Sequence, residues 1–118
     1  MRLSKPAEIL KLTRNIQTPF YLLDFNVLRQ KILTFNEIFE DLDINLKLLY
    51  SVKTNYNPHI IKFLNEHKVG LEIISGFEVD LLQELNLLDE KVVINGPSKS
   101  REELEKVIAA NSIIQTDS

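Results

Sequence analysis

Cysteine is absent, so neither a disulfide nor a thiolate metal site can be built from this sequence, and the redox compartment stays open. Basic runs are missing too. With a formal net charge of −3, the chain offers no nucleic-acid surface and no electrostatic attraction to a membrane. No apolar run approaches the roughly 20 residues needed to span a bilayer. Met1-Arg2-Leu3-Ser4-Lys5-Pro6 carries no apolar stretch of the signal-peptide kind. The expectation is a soluble, cytoplasmic protein with no nucleic-acid or membrane partner. Neither a G-x-G-x-x-G nor a G-x-x-x-x-G-K motif occurs, which weakens nucleotide binding.

What is present is enough for one ordinary core: 118 residues, 44% of them hydrophobic. Pro6 can open a short helix, capped by Ser4 or Lys5, with Ile9, Leu10 and Leu12 on its apolar side. Phe20-Tyr21-Leu22-Leu23 reads as a short strand after Thr18-Pro19. Asp24 or Asn26 can cap the next helix, whose apolar stripe is Leu28, Ile32, Phe35 and Phe39, and Asp41-Leu42-Asp43 ends it.

From Leu46 the pattern becomes regular. Strand Leu46–Val52 leads to a helix at Pro58, capped by Asn57, with Ile60, Ile61 and Leu64 inside and Gly70 suited to the left-handed stop. Strand Leu71–Ile74 leads to Ser75-Gly76-Phe77-Glu78, an S-x-x-E capping box, in a helix continued by Leu81, Leu82 and Leu85. Strand Val92–Ile94 leads through Asn95-Gly96-Pro97-Ser98-Lys99 to a second box, Ser100-Arg101-Glu102-Glu103. That helix has Leu104, Val107 and Ile108 inside and stops at Asn111; strand Ile113–Thr116 follows.

Short apolar strands alternating with amphipathic helices in units of about twenty residues predict parallel strands with right-handed crossovers. Units this short and uniform favour a (β/α) barrel over an open doubly wound sheet. The predicted fold is α/β: about the first four parallel strands of a (β/α)8 barrel, preceded by a short helix and strand. Residues 1–24 form the extension and residues 25–118 the N-terminal half of the barrel. Four strands leave open edges and an uncovered inner face. Asp117 is placed to cap a helix that never arrives. The expectation is a truncated N-terminal part of a longer protein.

Barrel sites lie at the C-terminal ends of the strands. Here those ends are Lys53, Ser75, Gly96 and Asp117. Lys53 closes the run Leu48-Leu49-Tyr50-Ser51-Val52 just before a turn. It is either a solvated strand end or a reactive amine, since a desolvated lysine has a lowered pKa and its neutral form condenses with aldehydes. Pyridoxal phosphate is the usual cofactor aldehyde, serving as an electron sink for an amino substrate. Glu72 lies inside the second parallel strand, where it approaches Lys53 or a cofactor edge, or else marks a solvated strand entry. Ser75 and Glu78 read first as a helix cap, with the helix start at Gly76 able to offer amides to an anion. His59 and His67 have no companion at ligand spacing and read as surface residues, so no metal site is expected. Lys99 reads as a solvated lysine before a phosphate ligand, and Asp24, Glu37, Glu40, Asp41 and Asp43 as a solvated acidic face.

Four motifs occur in order: Tyr50-Ser51-Val52-Lys53-Thr54-Asn55, Glu72-Ile73-Ile74-Ser75-Gly76-Phe77-Glu78, Asn95-Gly96-Pro97-Ser98-Lys99-Ser100 and Thr116-Asp117-Ser118. Together they resemble the N-terminal part of the fold-type III pyridoxal-phosphate decarboxylases. That group includes the diaminopimelate, ornithine and arginine decarboxylases and shares its barrel with alanine racemase. Thr18-Pro19-Phe20-Tyr21 through Asp24 resembles the segment ahead of that barrel, so the likeness spans about Thr18 to Ser118.

The resemblance implies that Lys53 forms the internal aldimine, that Glu72 lies near the cofactor, and that Ser75 belongs to the S-G-x-E pattern of the diaminopimelate type. Ser51 and Thr54 depart from it where alanine is common, and Phe77 where a second glycine is usual. It further implies a glycine-rich phosphate loop, an acidic partner for the pyridine nitrogen, a ring-stacking histidine and a C-terminal β domain later in the chain. The parent is then a lyase acting on an amino acid, while these residues alone are inactive and bind the cofactor weakly or not at all. A racemase-type or cofactor-carrier barrel, and a non-catalytic fragment that self-associates, are the alternatives; a homodimer or other self-association is expected.

Overall fold

Local signals set the helix starts. In a computed structural model, which describes residues 6–42, 45–97 and 99–116, the chain forms two compact units, Met1–Ile44 and Asn45–Ser118. The first holds α1 (Pro6–Thr13) and α2 (Phe25–Asp41). Asp24 caps α2, accepting the amides of Asn26 and Val27, as expected of a short carboxylate before an apolar stripe. On that stripe Ile32 is buried, while Phe35 and Phe39 meet with ring centroids 6.1 Å apart.

The strand expected at residues 20–23 does not form: this stretch takes no regular secondary structure and pairs with no described strand. Apolar composition alone cannot make a strand, because backbone groups need a ladder partner. The expected roles of Ser4, Lys5, Asp43, Ser98, Asp117 and Ser118 lie outside the described residues. Among the described residues no helix is long and apolar enough to cross a membrane.

The second unit alternates as the sequence pattern requires. In order come β1 (Leu49–Ser51), α3 (Pro58–Glu66), β2 (Gly70–Ile73), α4 (Gly76–Glu84), β3 (Val92–Ile94), α5 (Arg101–Ala109) and β4 (Ile113–Ile114). The strands are parallel in the order β1-β2-β3-β4. This is an α/β architecture corresponding to the first strands of a (β/α) barrel. Strand β1 is shorter than expected at both ends: it starts at Leu49, and Val52–Thr54 tighten into a 3₁₀ turn that closes it.

Alternation along each strand sorts the side chains onto two faces. Val52, Leu71, Ile73, Val92 and Ile94 pack with Ile61, Val79, Leu82 and Val107 of the helices into the main core. Burying each such side chain contributes roughly 1.5–3 kcal/mol, so the helix-bearing face holds this unit together. The opposite face carries Leu49, Ser51, Glu72, Val93 and Ile113; Leu49 and Ile113 are exposed.

Gly70 does not stop α3, contrary to the sequence expectation. Lys68 takes the left-handed conformation there, at φ 62°, and Gly70 opens β2. Glycine is needed at Gly70 for close approach: a Cβ would lie 2.5 Å from Leu49 Cδ2 and 3.1 Å from the Lys91 carbonyl oxygen. Asn111 does stop α5 in the left-handed region, at φ 57°.

Candidate functional site

Register aligns the strand ends. Ser51 pairs with Glu72, Ile73 with Ile94, and Ile94 with Ile114. The ladder runs one residue further, with the amide of Asn95 donating to Ile73 at 2.8 Å and that of Gln115 to Ile94 at 2.9 Å. Lys53, Ser75 and Gly96 therefore emerge at one end of the sheet, the C-terminal end that (β/α) barrels use.

Lys53 sits in the 3₁₀ turn directly after β1. The turn is tied down locally. Thr54 Oγ1 donates to the Ser51 carbonyl at 2.8 Å, the Asn55 amide to Val52 at 3.1 Å, and the Tyr50 hydroxyl to the Asn55 carbonyl at 3.3 Å. Asn57 Oδ1 then accepts the His59 amide at 2.9 Å and starts α3. Val52 is fully buried while Lys53 is exposed. The dry amine anticipated from the apolar run is thus not what the described residues provide. An apolar strand buries residues facing the helices, and the turn after Val52 directs the next one outward. Lys53 makes no hydrogen bond or ion pair with a described residue, so its amine is free to react or bind.

Glu72 lies on the face opposite the helices of the second unit and does not pair with Lys53; its Oε2 accepts from Ser51 Oγ across the β1–β2 register. Reading the sequence gave Ser51 no role. The signal was present: residues 21 apart in successive β-α units become neighbours when the units repeat at that length.

Ser75 is a helix cap first. Its Oγ accepts the Glu78 amide at 3.4 Å and donates to Glu78 Oε2 at 3.0 Å. With its proton engaged, the hydroxyl has none left for a phosphate oxygen. Glu78 is fully buried. Its Oε2 also accepts the Ile74 amide at 2.7 Å, and its Oε1 has no partner among the described residues. At Ser100 and Glu103 the box is closed in the usual way, the glutamate accepting the amide of the cap residue itself at 2.7 Å.

Gly96 holds φ at 96°, a conformation that strains any side chain, and its carbonyl accepts from Lys99 Nζ. Lys99 is therefore half-buried and engaged, not the solvated residue expected. His59 is exposed; His67 is half-buried, stacked on Phe63 at 4.1 Å with Nδ1 2.8 Å from the Phe63 carbonyl oxygen. On the same rim Tyr56 and Phe77 meet edge to face at 5.2 Å, both exposed.

The donor chemistry fits an aldehyde cofactor at one point, the unengaged primary amine of Lys53. Of the other groups at the strand ends, Ser75 has its hydroxyl proton engaged internally, while Lys99 gives the Gly96 carbonyl one of its three N–H donors.

The chain is 31% identical over 98 residues to a diaminopimelate decarboxylase of Aquifex aeolicus, covering 83% of this chain and 22% of that protein. It is 30% identical over 99 residues to the L-glutamyl-[BtrI acyl-carrier protein] decarboxylase of Niallia circulans, covering 84% and 22%. Among solved structures, diaminopimelate decarboxylase from Helicobacter pylori complexed with L-lysine superimposes with a TM-score of 0.75 at 26% identity. That match covers 92% of this chain and 28% of the other. The protein AQ1208 from Aquifex aeolicus gives 0.77 at 28%, covering 93% and 27%. The chain thus spans about a fifth of the length of the curated relatives it matches. Residues 26–116 match the family described as pyridoxal-dependent decarboxylase, pyridoxal binding domain, and the chain, with its parallel sheet and lysine at the strand ends, belongs to that family.

Proposed function

We propose that this chain is the N-terminal portion of a pyridoxal-phosphate-dependent amino acid decarboxylase of the diaminopimelate type, with Lys53 as the residue that holds the cofactor. Residues 25–118 form part of its cofactor barrel and residues 1–24 an extension ahead of it. The observation that carries this reading is the unengaged amine of Lys53 in the turn at the C-terminal end of β1, level with the ends of β2 and β3.

The cofactor, when bound, supplies a ring that accepts the electrons left behind as a carboxylate departs. The chain's own residues do the rest of what falls to this portion. Lys53 supplies the amine that condenses with the aldehyde. Glu72 offers a carboxylate beside that strand end, on the face opposite the helices of the second unit. Ser75 sets the start of α4 and can meet a ligand only as an acceptor. Because Lys53 is exposed, these residues do not exclude water from the amine. Decarboxylation chemistry relies on a water-excluded site, so the 118 residues by themselves are expected to be inactive and to bind the cofactor weakly.

The test is to incubate the chain with pyridoxal phosphate, reduce with borohydride and map the modified peptides. Label concentrated on Lys53, and absent from that peptide in Lys53→Arg, is the expected result. Label spread evenly over the lysines would overturn the assignment.

A further inference from the structure

Glu72 and Ser51 are register partners on the face of the sheet that no helix of the second unit covers. Both are half-buried. Ser51 Oγ donates to Glu72 Oε2, whereas Glu72 Oε1 takes no hydrogen bond from a described residue. A glutamate side chain has three torsions, and an unheld one samples several rotamers, so ordering it costs conformational entropy. A hydrogen bond to a charged acceptor is stronger than one between neutral groups and offsets that cost before any ligand arrives. Ser51 is also the last residue of β1, two positions before Lys53.

We propose that Ser51 is a positioning residue: it holds Glu72 in one conformation and leaves Oε1 as the acceptor presented to an N–H group of whatever Lys53 carries, an inference that rests on Lys53 being the cofactor-bearing amine. Ser51 acts only through Glu72. Removing either partner therefore has the same consequence, and removing both adds nothing. A merely structural bond between two strands predicts something else: a stability loss with no effect on the remaining glutamate conformation or on the amine.

Two measurements on the full 118-residue chain decide it. The first needs no ligand: NMR three-bond couplings across Cα–Cβ and Cβ–Cγ of Glu72. They should report a single rotamer in the parent sequence and in Ser51→Thr, which keeps the hydroxyl. They should report averaged rotamers in Ser51→Ala and in Ser51→Cys, which keeps the size but is a weak donor. Unchanged couplings in both Ser51→Ala and Ser51→Cys would overturn the proposal.

The second is the pyridoxal phosphate concentration giving half-maximal borohydride labelling of Lys53. Ser51→Ala and Glu72→Ala should each raise it about tenfold, the equivalent of one charge-assisted hydrogen bond, and the double variant no further. A double variant that adds the two effects would overturn the proposal. If Lys53 is not labelled selectively in the parent sequence, the cofactor assignment fails, and the couplings alone then decide whether Ser51 orders Glu72.

Discussion

Glu78 accepts the backbone N–H of Ile74 at 2.7 Å through the same oxygen that takes the Ser75 hydroxyl, tying the start of α4 to the residue that directly follows β2. The second box in the chain, Ser100 with Glu103, reaches only as far as its own cap residue and stays partly exposed. One residue of difference in the accepted amide separates a buried strand-to-helix tie from an ordinary helix cap.

Glu78→Ala should therefore cost more than Glu103→Ala. The first strips an acceptor from two donors beside a fully buried site, a loss of about 2–3 kcal/mol. The second removes half of a surface cap, about 0.5–1.5 kcal/mol. Urea unfolding midpoints of the two variants check the order.

Gly70→Ala should lose about 1–3 kcal/mol, the usual range for forcing an extra methyl into a packed site. The Leu49 side chain can turn away from the new Cβ, but the Lys91 carbonyl, 3.1 Å from it, belongs to the backbone and cannot. Thermal unfolding reads the difference, and Leu49→Ala in the same background should recover only part of it.

Gly76→Ala is expected to act through a single neighbour. A Cβ there runs into the Glu103 carboxylate, with Glu103 Cδ at 3.1 Å, and the flexible end of that side chain can swing aside only by giving up the Ser100 amide. The predicted cost is one cap, about 0.5–1.5 kcal/mol. In Glu103→Ala the same substitution should cost nothing more, a coupling that a double-mutant cycle measures directly.

Lys106 donates to Asp80 at 2.8 Å and lies 3.0 Å from Glu102, joining α5 to α4. Its hydrogen bonds to Asp80 and then to Glu102 raise its pKa above the ordinary lysine value. A folded-state pKa above the unfolded one means that folding favours the protonated amine. The contribution is then fully present below the ordinary lysine pKa of about 10.4 and is lost as pH rises through the folded value. The pairs are solvent-facing, so the effect is small and weakens with salt. Lys106→Met should flatten the stability change between neutral and strongly alkaline pH, as followed by denaturant midpoints at low ionic strength.

Caps and strand order were legible in the residues because both are short-range. Asp24, Asn57, Ser75 and Ser100 each satisfy amides within three residues of themselves. Lys53 at the C-terminal end of a strand was legible for the same reason. Its exposure was not, because that depends on what lies above the turn. Gly70 was misplaced because glycine serves equally at a helix stop and at a close strand contact, and only the positions of Leu49 and Lys91 distinguish them. Phe20–Leu23 had strand composition but no ladder partner among the described residues.

The order of helices and parallel strands, and the row of residues at the strand ends, follow from the sequence alone: periodicity and capping are properties of neighbouring residues, and neighbours are what a sequence lists. The Ser51–Glu72 bond, the burial of Glu78 and the exposure of Lys53 were decided by tertiary structure. Each depends on register between strands or on one helix lying over another, and such distances arise only when segments far apart in the chain are brought together.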